Sequence, residues 1–155
     1  MILDSIKNYL FDDAVDVKII NEIYSIVEHL NEDYPRYKEW FYNKQVNGCF
    51  SRFRDILFIK NENSKIIGVS FLKMEDNEKK ICTLYVCEEY RKKGVGTMLL
   101  EESFNILGTK KPIITFNEDK LFMFEKIIVK YNWKLTKIVD SLYKDGIKEY
   151  CFNIV

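Results

Sequence analysis

The chain has 155 residues, 47% of them hydrophobic, so it is long enough to form one domain around a buried core. Lysine plus arginine number 24 and aspartate plus glutamate number 24, so no net charge attracts nucleic acid or anionic lipid over a distance. No apolar run approaches the roughly 20 residues of a membrane span, and the N-terminus lacks the basic-then-apolar order of a secretory signal.

The first third of the chain is predicted to form a strand and two helices. The strand is expected near residues 2–10, and Asp12 or Asp13 is expected to cap a helix whose apolar residues recur at helical spacing. A second helix is expected to begin at Pro35, where a missing N–H does no harm, and to end at Gly48.

The spacing of apolar residues then changes from helical to strand-like. Residues 55–60, 65–74 and 79–86 read as three strands joined by polar turns, which predicts an antiparallel meander. An amphipathic helix is expected to begin near Gly94 and to end at Gly108, which stands where a C-cap glycine belongs.

The last third is predicted to add a strand at 112–116, a helix at 119–131 and a hairpin of residues 133–139 and 147–155 around Asp145-Gly146. No linker, repeat or low-complexity segment divides this order. The sequence therefore predicts one three-layer α/β domain that spans residues 1–155.

The segment EYRKKGVGT joins a predicted strand to a predicted helix. A helix N-terminus carries about four unpaired N–H groups and a partial positive charge, so it attracts phosphate. Glycines there let oxygens approach the backbone, and basic side chains add charge. A solvated basic helix start would look the same, but the pattern fits a diphosphate loop. The loop residues are Arg91, Lys92, Lys93, Gly94, Val95, Gly96 and Thr97.

Other phosphate motifs fit less well. The Walker pattern is absent, and position 99 is Leu where a dinucleotide fingerprint has its third glycine. RKKGVG instead resembles the [RQ]-x-x-G-x-[GA] pyrophosphate loop of the GNAT superfamily of acyl-CoA N-acyltransferases. LYVCEEYR resembles the preceding strand and V-x-P-E-Y-R run of that family, with Glu88 in place of proline, and KIIGVSFL resembles its third strand.

The resemblance covers about residues 55–124. It implies a GNAT-like α/β fold with a central mixed, mostly antiparallel sheet of about seven strands and helices on both faces. It also implies that acetyl-CoA is the acyl donor and that an amine attacks its thioester directly.

In that family the pantetheine arm of CoA inserts between the splayed fourth and fifth strands. By position, the resemblance implies that the backbone of Leu84, Tyr85 and Val86 pairs with the arm, and that the Val86 N–H polarises the thioester carbonyl. Asn117 fits the asparagine that follows the fifth strand. Catalysis would then depend largely on positioning and on oxyanion stabilisation.

The tyrosine that protonates the departing thiolate in this family aligns with Phe124 or, in another register, with Ile128. Neither side chain carries a hydroxyl. Tyr131 is a candidate replacement, although on a continuous helix it would lie about 10 Å beyond Phe124. The alternative is that Tyr131 packs in the core.

The sequence does not identify the general base. The candidates are water and four acidic residues, each of which also reads as a solvated surface charge: Glu75, Asp76, Glu88 and Glu89. Strict alternation puts Cys82 and Cys87 on opposite faces of their strand, which argues against a covalent acyl-cysteine route.

The cysteines and the single histidine limit the other chemistry. The four cysteines form no C-x-x-C pair, and His29 is the only histidine. We therefore expect no metal site, and we expect reduced thiols in a cytoplasmic protein.

The acceptor is expected to bind at the first helices and the final hairpin. Residues 33–45 are rich in aromatic residues that either line an acceptor cleft or pack the core. Arg52 and Arg54 are candidates to pair with an acidic substrate or with the 3′-phosphate of CoA. The sequence does not choose between a small-molecule amine and a protein or peptide amine, and the balanced charge disfavours nucleic acid.

Two functions are consistent with these residues. The first is an acetyl-CoA-dependent N-acetyltransferase. The second is an acyl-CoA-binding regulatory or interaction module on the same fold, which the missing tyrosine at Phe124 favours. A homodimer is left open in either case.

Overall fold

The computed structural model describes residues 1–11, 14–75 and 77–155. The strands are β1 (Ile2–Ser5), β2 (Leu10–Phe11), β3 (Ala14–Val15), β4 (Arg54–Lys60), β5 (Ile66–Glu75), β6 (Glu78–Val86), β7 (Ile114–Asn117), β8 (Leu135–Asp140) and β9 (Lys148–Phe152). The α-helices are α1 (Val17–Val27), α2 (Tyr37–Trp40), α3 (Val95–Leu107) and α4 (Glu125–Lys130).

Two antiparallel sheets lie side by side. One has four strands in the order β1-β4-β5-β6, and the other has three in the order β7-β9-β8. Among the residues that the structure describes, one parallel bridge, between Lys80 and Ile113, joins them. The predicted mixed α/β fold, with its meander and terminal hairpin, is confirmed. The short β2-β3 pair was not predicted.

Helices cover both faces of the sheets, as predicted. On one face, α1 and the α2 segment pack on inward residues such as Ile56 and Phe58. On the other face, α3 packs on the alternate residues Leu57 and Ile59. Each of these side chains is fully buried, which stabilises the fold by about 1.5–3 kcal/mol per residue.

The first helix differs from its prediction at its start. The Asp16 carboxylate accepts from the N–H groups of Lys18 (3.0 Å) and Ile19 (3.4 Å), so Asp16 is the N-cap. Asp12 and Asp13, which were expected to cap this helix, lie outside the described residues.

Two other elements also differ from their predictions. The second helix begins at Tyr37 rather than Pro35, because Arg36 has a φ of 62° and so leaves the helical region. A π-helical turn over Phe41–Val46 continues it. The helix predicted at 119–131 is divided into a 3-10 turn, Leu121–Phe124, and α4.

The third helix is placed close to the sheet by a glycine on β5. A Cβ atom at Gly68 would lie 3.0 Å from side-chain atoms of both Val95 and Leu99 on α3. As predicted, α3 begins next to Gly94 and ends at Gly108, and both glycines have a left-handed backbone (φ 87° and 72°).

Within residues 1–11, 14–75 and 77–155, no helix has the length and apolar content required to cross a bilayer.

Candidate active site

The site begins where β6 separates from β7. The Ile81 N–H donates to the Ile113 carbonyl (3.0 Å), and the Ile113 N–H donates to the Lys79 carbonyl (2.8 Å). Within the described part of the chain, the two strands form no further pairing after this point. A gap therefore opens along the rest of β6, and the backbone of β6 faces it.

A β-bulge in β6 determines what faces this gap. Thr83 and Ile81 pair with consecutive residues of β5, which leaves Cys82 as the extra residue. Both Cys82 and Thr83 line the same cavity. The strict alternation that we used to place Cys82 and Cys87 on opposite faces is therefore wrong at the bulge. Burial raises the pKa of the Cys82 thiol, which disfavours its nucleophilic thiolate form.

Beyond the bulge, the direction of the amides can be read from one hydrogen bond. The Cys87 N–H donates to the Ile67 carbonyl of the adjacent chain (2.9 Å). Because amides alternate along an antiparallel strand, those of Tyr85 also face β5, whereas those of Leu84 and Val86 face the gap. The backbone N–H groups of Leu84 and Val86 can thus donate to a ligand in the gap, whereas the Tyr85 backbone faces β5.

The glycine loop follows β6 directly. Lys92 (φ 62°) and Gly94 (φ 87°) both adopt left-handed backbone conformations. The first helical hydrogen bond of α3 runs from the Met98 N–H to the Gly94 carbonyl (3.0 Å), so the three preceding N–H groups have no acceptor within the helix. These groups belong to Val95, Gly96 and Thr97. A Cβ atom at Gly94 would meet nothing within 4 Å, so the turn is open to a ligand.

Arg91 connects the loop to the gap. Its Nε donates to the Val86 carbonyl (3.0 Å), and its guanidinium lies 5.5 Å from the centre of the Tyr85 ring. The exposed Lys93 lies 5.6 Å from the ring of Tyr90. Basic side chains thus surround the mouth of the gap.

A cavity of about 270 Å³ lies at the start of the gap, on the α1 side of the sheet. Its lining is Tyr34, Pro35, Tyr37, Trp40, Arg54, Lys73, Lys80, Cys82, Thr83, Thr115 and Tyr143. The buried Tyr37 hydroxyl and the Thr83 hydroxyl form a hydrogen bond (2.8 Å) that fixes α2 to β6. Tyr37 and Trp40 both line the cavity and pack in the core.

One acidic residue near this cavity was not predicted from the sequence to be a site residue. Glu149 lies on β9 and is only 2% exposed, opposite Asn117 of β7. Among the described residues, its Oε2 atom has no hydrogen-bond partner. Burial raises the pKa of Glu149 to about 7, against the lowering effect of the nearby Tyr34 hydroxyl. The available signal was an acidic residue that alternates with Cys151 inside a strand-like run.

The acidic residues proposed from the sequence lie elsewhere. Glu75 is 3.9 Å from Arg54 and 3.8 Å from Lys73, so it is already paired. Glu88 and Glu89 are exposed in the 3-10 turn after β6, and Asp76 lies outside the described residues.

The aromatic residues near α4 contribute to packing. Phe124 stacks on Phe116, with ring centres 3.9 Å apart. Tyr131 packs edge-on against Phe104 of α3 (4.9 Å). Asn117 is buried, and its Oδ1 accepts from the Lys120 N–H (3.1 Å) in the turn after β7.

A family model described as "Acetyltransferase (GNAT) family" matches residues 19–116. No curated protein sequence matches the chain.

Solved structures give matches of low sequence identity. A putative acetyltransferase of the GNAT family from Desulfovibrio desulfuricans aligns over 97% of both chains, with a TM-score of 0.69 and 10% identity. A putative streptothricin acetyltransferase from Bacillus anthracis, in complex with acetyl coenzyme A, aligns over 72% of this chain and 65% of its own, with a TM-score of 0.58 and 18% identity.

A nourseothricin acetyltransferase aligns over 64% of this chain and 63% of its own, with a TM-score of 0.57 and 13% identity. The chain therefore spans about two thirds of the length of the nourseothricin and streptothricin enzymes. At these identities it is the TM-scores that show a shared fold.

Proposed function

Because the chain belongs to the GNAT acetyltransferase family, we propose that it transfers an acetyl group from acetyl-CoA to a primary amine. The observation that carries this proposal is the order of three features along β6: the cavity, then the strand edge that has no described pairing with β7, then the glycine loop. A donor that enters from the loop and an acceptor that enters through the cavity would meet in the gap.

The donor would be held mainly by backbone groups. The N–H groups of Val95, Gly96 and Thr97 would bind the diphosphate, assisted by the charges of Lys92 and Lys93. The pantetheine arm would lie along β6 and pair with the gap-facing amides of Leu84 and Val86. A structural neighbour that was solved in complex with acetyl coenzyme A supports acetyl-CoA as the donor.

The reaction would be direct acyl transfer. The amine lone pair attacks the thioester carbon, a C–N bond forms, and the C–S bond breaks with its electrons going to sulfur. The N–H of Leu84 or Val86 would stabilise the oxyanion, and Leu84 is nearer to the cavity wall at Thr83. Positioning the two substrates can lower the barrier by about 7–11 kcal/mol.

The amine must also lose a proton. We assign this proton to Glu149, through the hydroxyl of Tyr34, which lines the cavity and lies beside the carboxylate. A carboxylate whose pKa is about 7 is well matched to this role near neutral pH. Tyr34 would relay the proton without ionising, since burial raises its own pKa above the usual range.

The thiolate would leave without a tyrosine. Phe124 stands where related sequences have that hydroxyl, and a thiol of pKa near 8.5 is a tolerable leaving group. Loss of general acid catalysis slows a reaction by about 10²–10⁴-fold without abolishing it. Tyr131 remains a candidate acid, although its contact with Phe104 supports a packing role.

The proposal is tested by thiol release from acetyl-CoA with a panel of amines. Gly94→Val should weaken CoA binding by at least tenfold, because the side chain would occupy the open turn. Gly146→Val is a matched control: Gly146 also has a positive φ (77°) and open surroundings, but it lies in the β8-β9 hairpin.

The outcomes separate the alternatives. Equal CoA affinity of a folded Gly94→Val protein and the control would contradict the loop assignment. Acetyl-CoA binding without amine-stimulated thiol release would instead indicate a binding module on the same fold.

A further inference from the structure

Three basic residues form a row across three adjacent strands. Arg54 on β4 pairs in register with Lys73 on β5, and Lys73 pairs in register with Lys80 on β6. All three line the cavity, and we call them the cation row. Like charges directly opposite one another destabilise a sheet, so this arrangement requires compensation.

Carboxylates offset part of this charge from one side. Glu75 lies 3.9 Å from Arg54, and Glu78 lies 3.2 Å from Lys73. Both carboxylates are about two-fifths exposed, and neither lines the cavity. None of the ion pairs among the described residues involves Lys80. In that part of the chain, two carboxylates therefore offset three cations, and one positive charge is left at the cavity wall.

The arginine of the row is held in place by its surroundings. Its side chain is only 9% exposed, and its Nη1 donates to the buried Gln45 Oε1 (2.8 Å). Its guanidinium lies 5.9 Å from the ring centre of Trp40. A Cβ atom at Gly48 would be 2.5 Å from the Arg54 Cδ, so the chain leaves room for this stem. A buried guanidinium at a cavity wall is suited to bidentate binding of a carboxylate.

We propose that the acceptor of the transferred acetyl group is a small primary amine that also carries a carboxylate, and that the cation row binds this carboxylate. The proposal rests on the acetyl transfer proposed above. A single residual charge matches a carboxylate better than a phosphate dianion. The aromatic residues Tyr37 and Trp40 would contact the apolar part of the acceptor.

The geometry also limits the length of the acceptor. Lys80 and Leu84 are four residues apart with one bulge between them, which separates the cation row from the first gap-facing amide by about 10–13 Å. Long basic side chains shorten this distance. The amine and the carboxylate should therefore be several bonds apart, as in a long ω-amino acid or a dipeptide, and not on one carbon.

The test compares acceptors that differ only in charge. We would measure kcat and KM for 6-aminohexanoate against 6-aminohexanamide, and for alanylalanine against its carboxamide. The acid of each pair should have the higher kcat/KM, by about 10- to 100-fold. A kcat/KM for the amide that equals the kcat/KM for the acid would overturn the proposal.

The cation row is tested with Lys80→Met, since Lys80 is half-buried at the edge of its sheet. The variant should raise KM for the acids about tenfold or more and lower the acid-to-amide ratio of kcat/KM by a similar factor. Lys137→Met is the matched control, because Lys137 is an exposed strand lysine on β8 outside the cavity. Equal losses on acid and amide would indicate a structural role and refute the assignment.

Arg54→Met gives a second measurement with the same expected loss of acid preference. Failure of the carboxylate site can be distinguished from failure of acetyl transfer. No thiol release with any amine in the panel refutes acetyl transfer itself, whereas release without an acid preference refutes only the carboxylate site.

Discussion

Replacing Glu149 with glutamine should make the stability of the protein depend differently on pH. Burial raises the pKa of this carboxyl from 4.5 to about 7. Well below pH 4.5 the group is neutral in both the folded and the unfolded chain, and at pH 4.5 it is half ionised in the unfolded chain alone, which costs the folded state only about 0.4 kcal/mol. As the pH rises towards 7, the unfolded chain releases the proton first, so the folded state progressively loses stability.

The size of the effect follows from the shift. At 1.36 kcal/mol for each pKa unit, the wild-type protein should lose about 3 kcal/mol between pH 4.5 and pH 8 through this group. Glutamine has nearly the same shape and does not ionise, so Glu149→Gln lacks this loss. The variant should match the wild type at pH 4.5 and be more stable by about 3 kcal/mol at pH 8.

Urea unfolding at the two pH values measures this difference. Glu101→Gln, an exposed substitution on α3, serves as the control and should show little change. A difference between wild type and Glu149→Gln that does not vary with pH would refute the reasoning, because it would mean that burial does not disfavour the charged carboxylate.

The same variant should lose activity. Thiol release by the wild type should rise with pH through about 7, as the Glu149 carboxylate loses its proton. Glu149→Gln should lose that limb of the profile and be slower by about 10²–10⁴-fold at pH 8. A gain in stability together with a loss of turnover would distinguish a buried functional carboxylate from a structural one, whereas full activity would exclude Glu149 as the proton acceptor.

Three further predictions concern packing and chemistry. Gly68→Val should lower the unfolding free energy by about 1–3 kcal/mol in a denaturant titration, because Val95 and Leu99 leave no room for the side chain; an unchanged midpoint would contradict this. Cys82→Ala should keep turnover within a few-fold, and a 100-fold loss would revive the covalent route. Phe124→Tyr should raise turnover by up to about 10²-fold by supplying the missing proton donor, and an unchanged rate would show that thiolate departure is not assisted from this position.

The elements that could be predicted from the sequence are those with local signals. Strand-like apolar runs joined by polar turns identified the meander, and Gly94 and Gly108 identified both ends of α3. The start of α2 could not be predicted, because it depends on the left-handed conformation of Arg36, a residue with no intrinsic preference for it. The interruption of the helix before Tyr131 could not be predicted either, because the pattern of apolar residues gives no sign of it.

The two halves of the candidate site differ in the same way. The proposed donor loop is one contiguous segment, so its residue types and spacing were visible in the sequence. The cavity proposed for the acceptor is assembled from strands, loops and a helix that are distant in the chain. Arg54 was noted as a basic residue, but its alignment with Lys73 and Lys80 depends on strand register. Glu149 became notable only through its burial.

The bulge at Cys82 links these two halves. Along β6, the amides before the bulge that face β7 are those of odd-numbered residues, such as Ile81, whereas beyond it they are those of Leu84 and Val86. The extra residue also turns the side chain of Thr83 to the cavity side, next to Cys82, where strict alternation would have turned it towards α3. One inserted residue therefore supplies both the amides that the donor would need and the wall that the acceptor would contact. The described pairing between β6 and β7 also ends at this point, and the gap that follows is where the two substrates would meet.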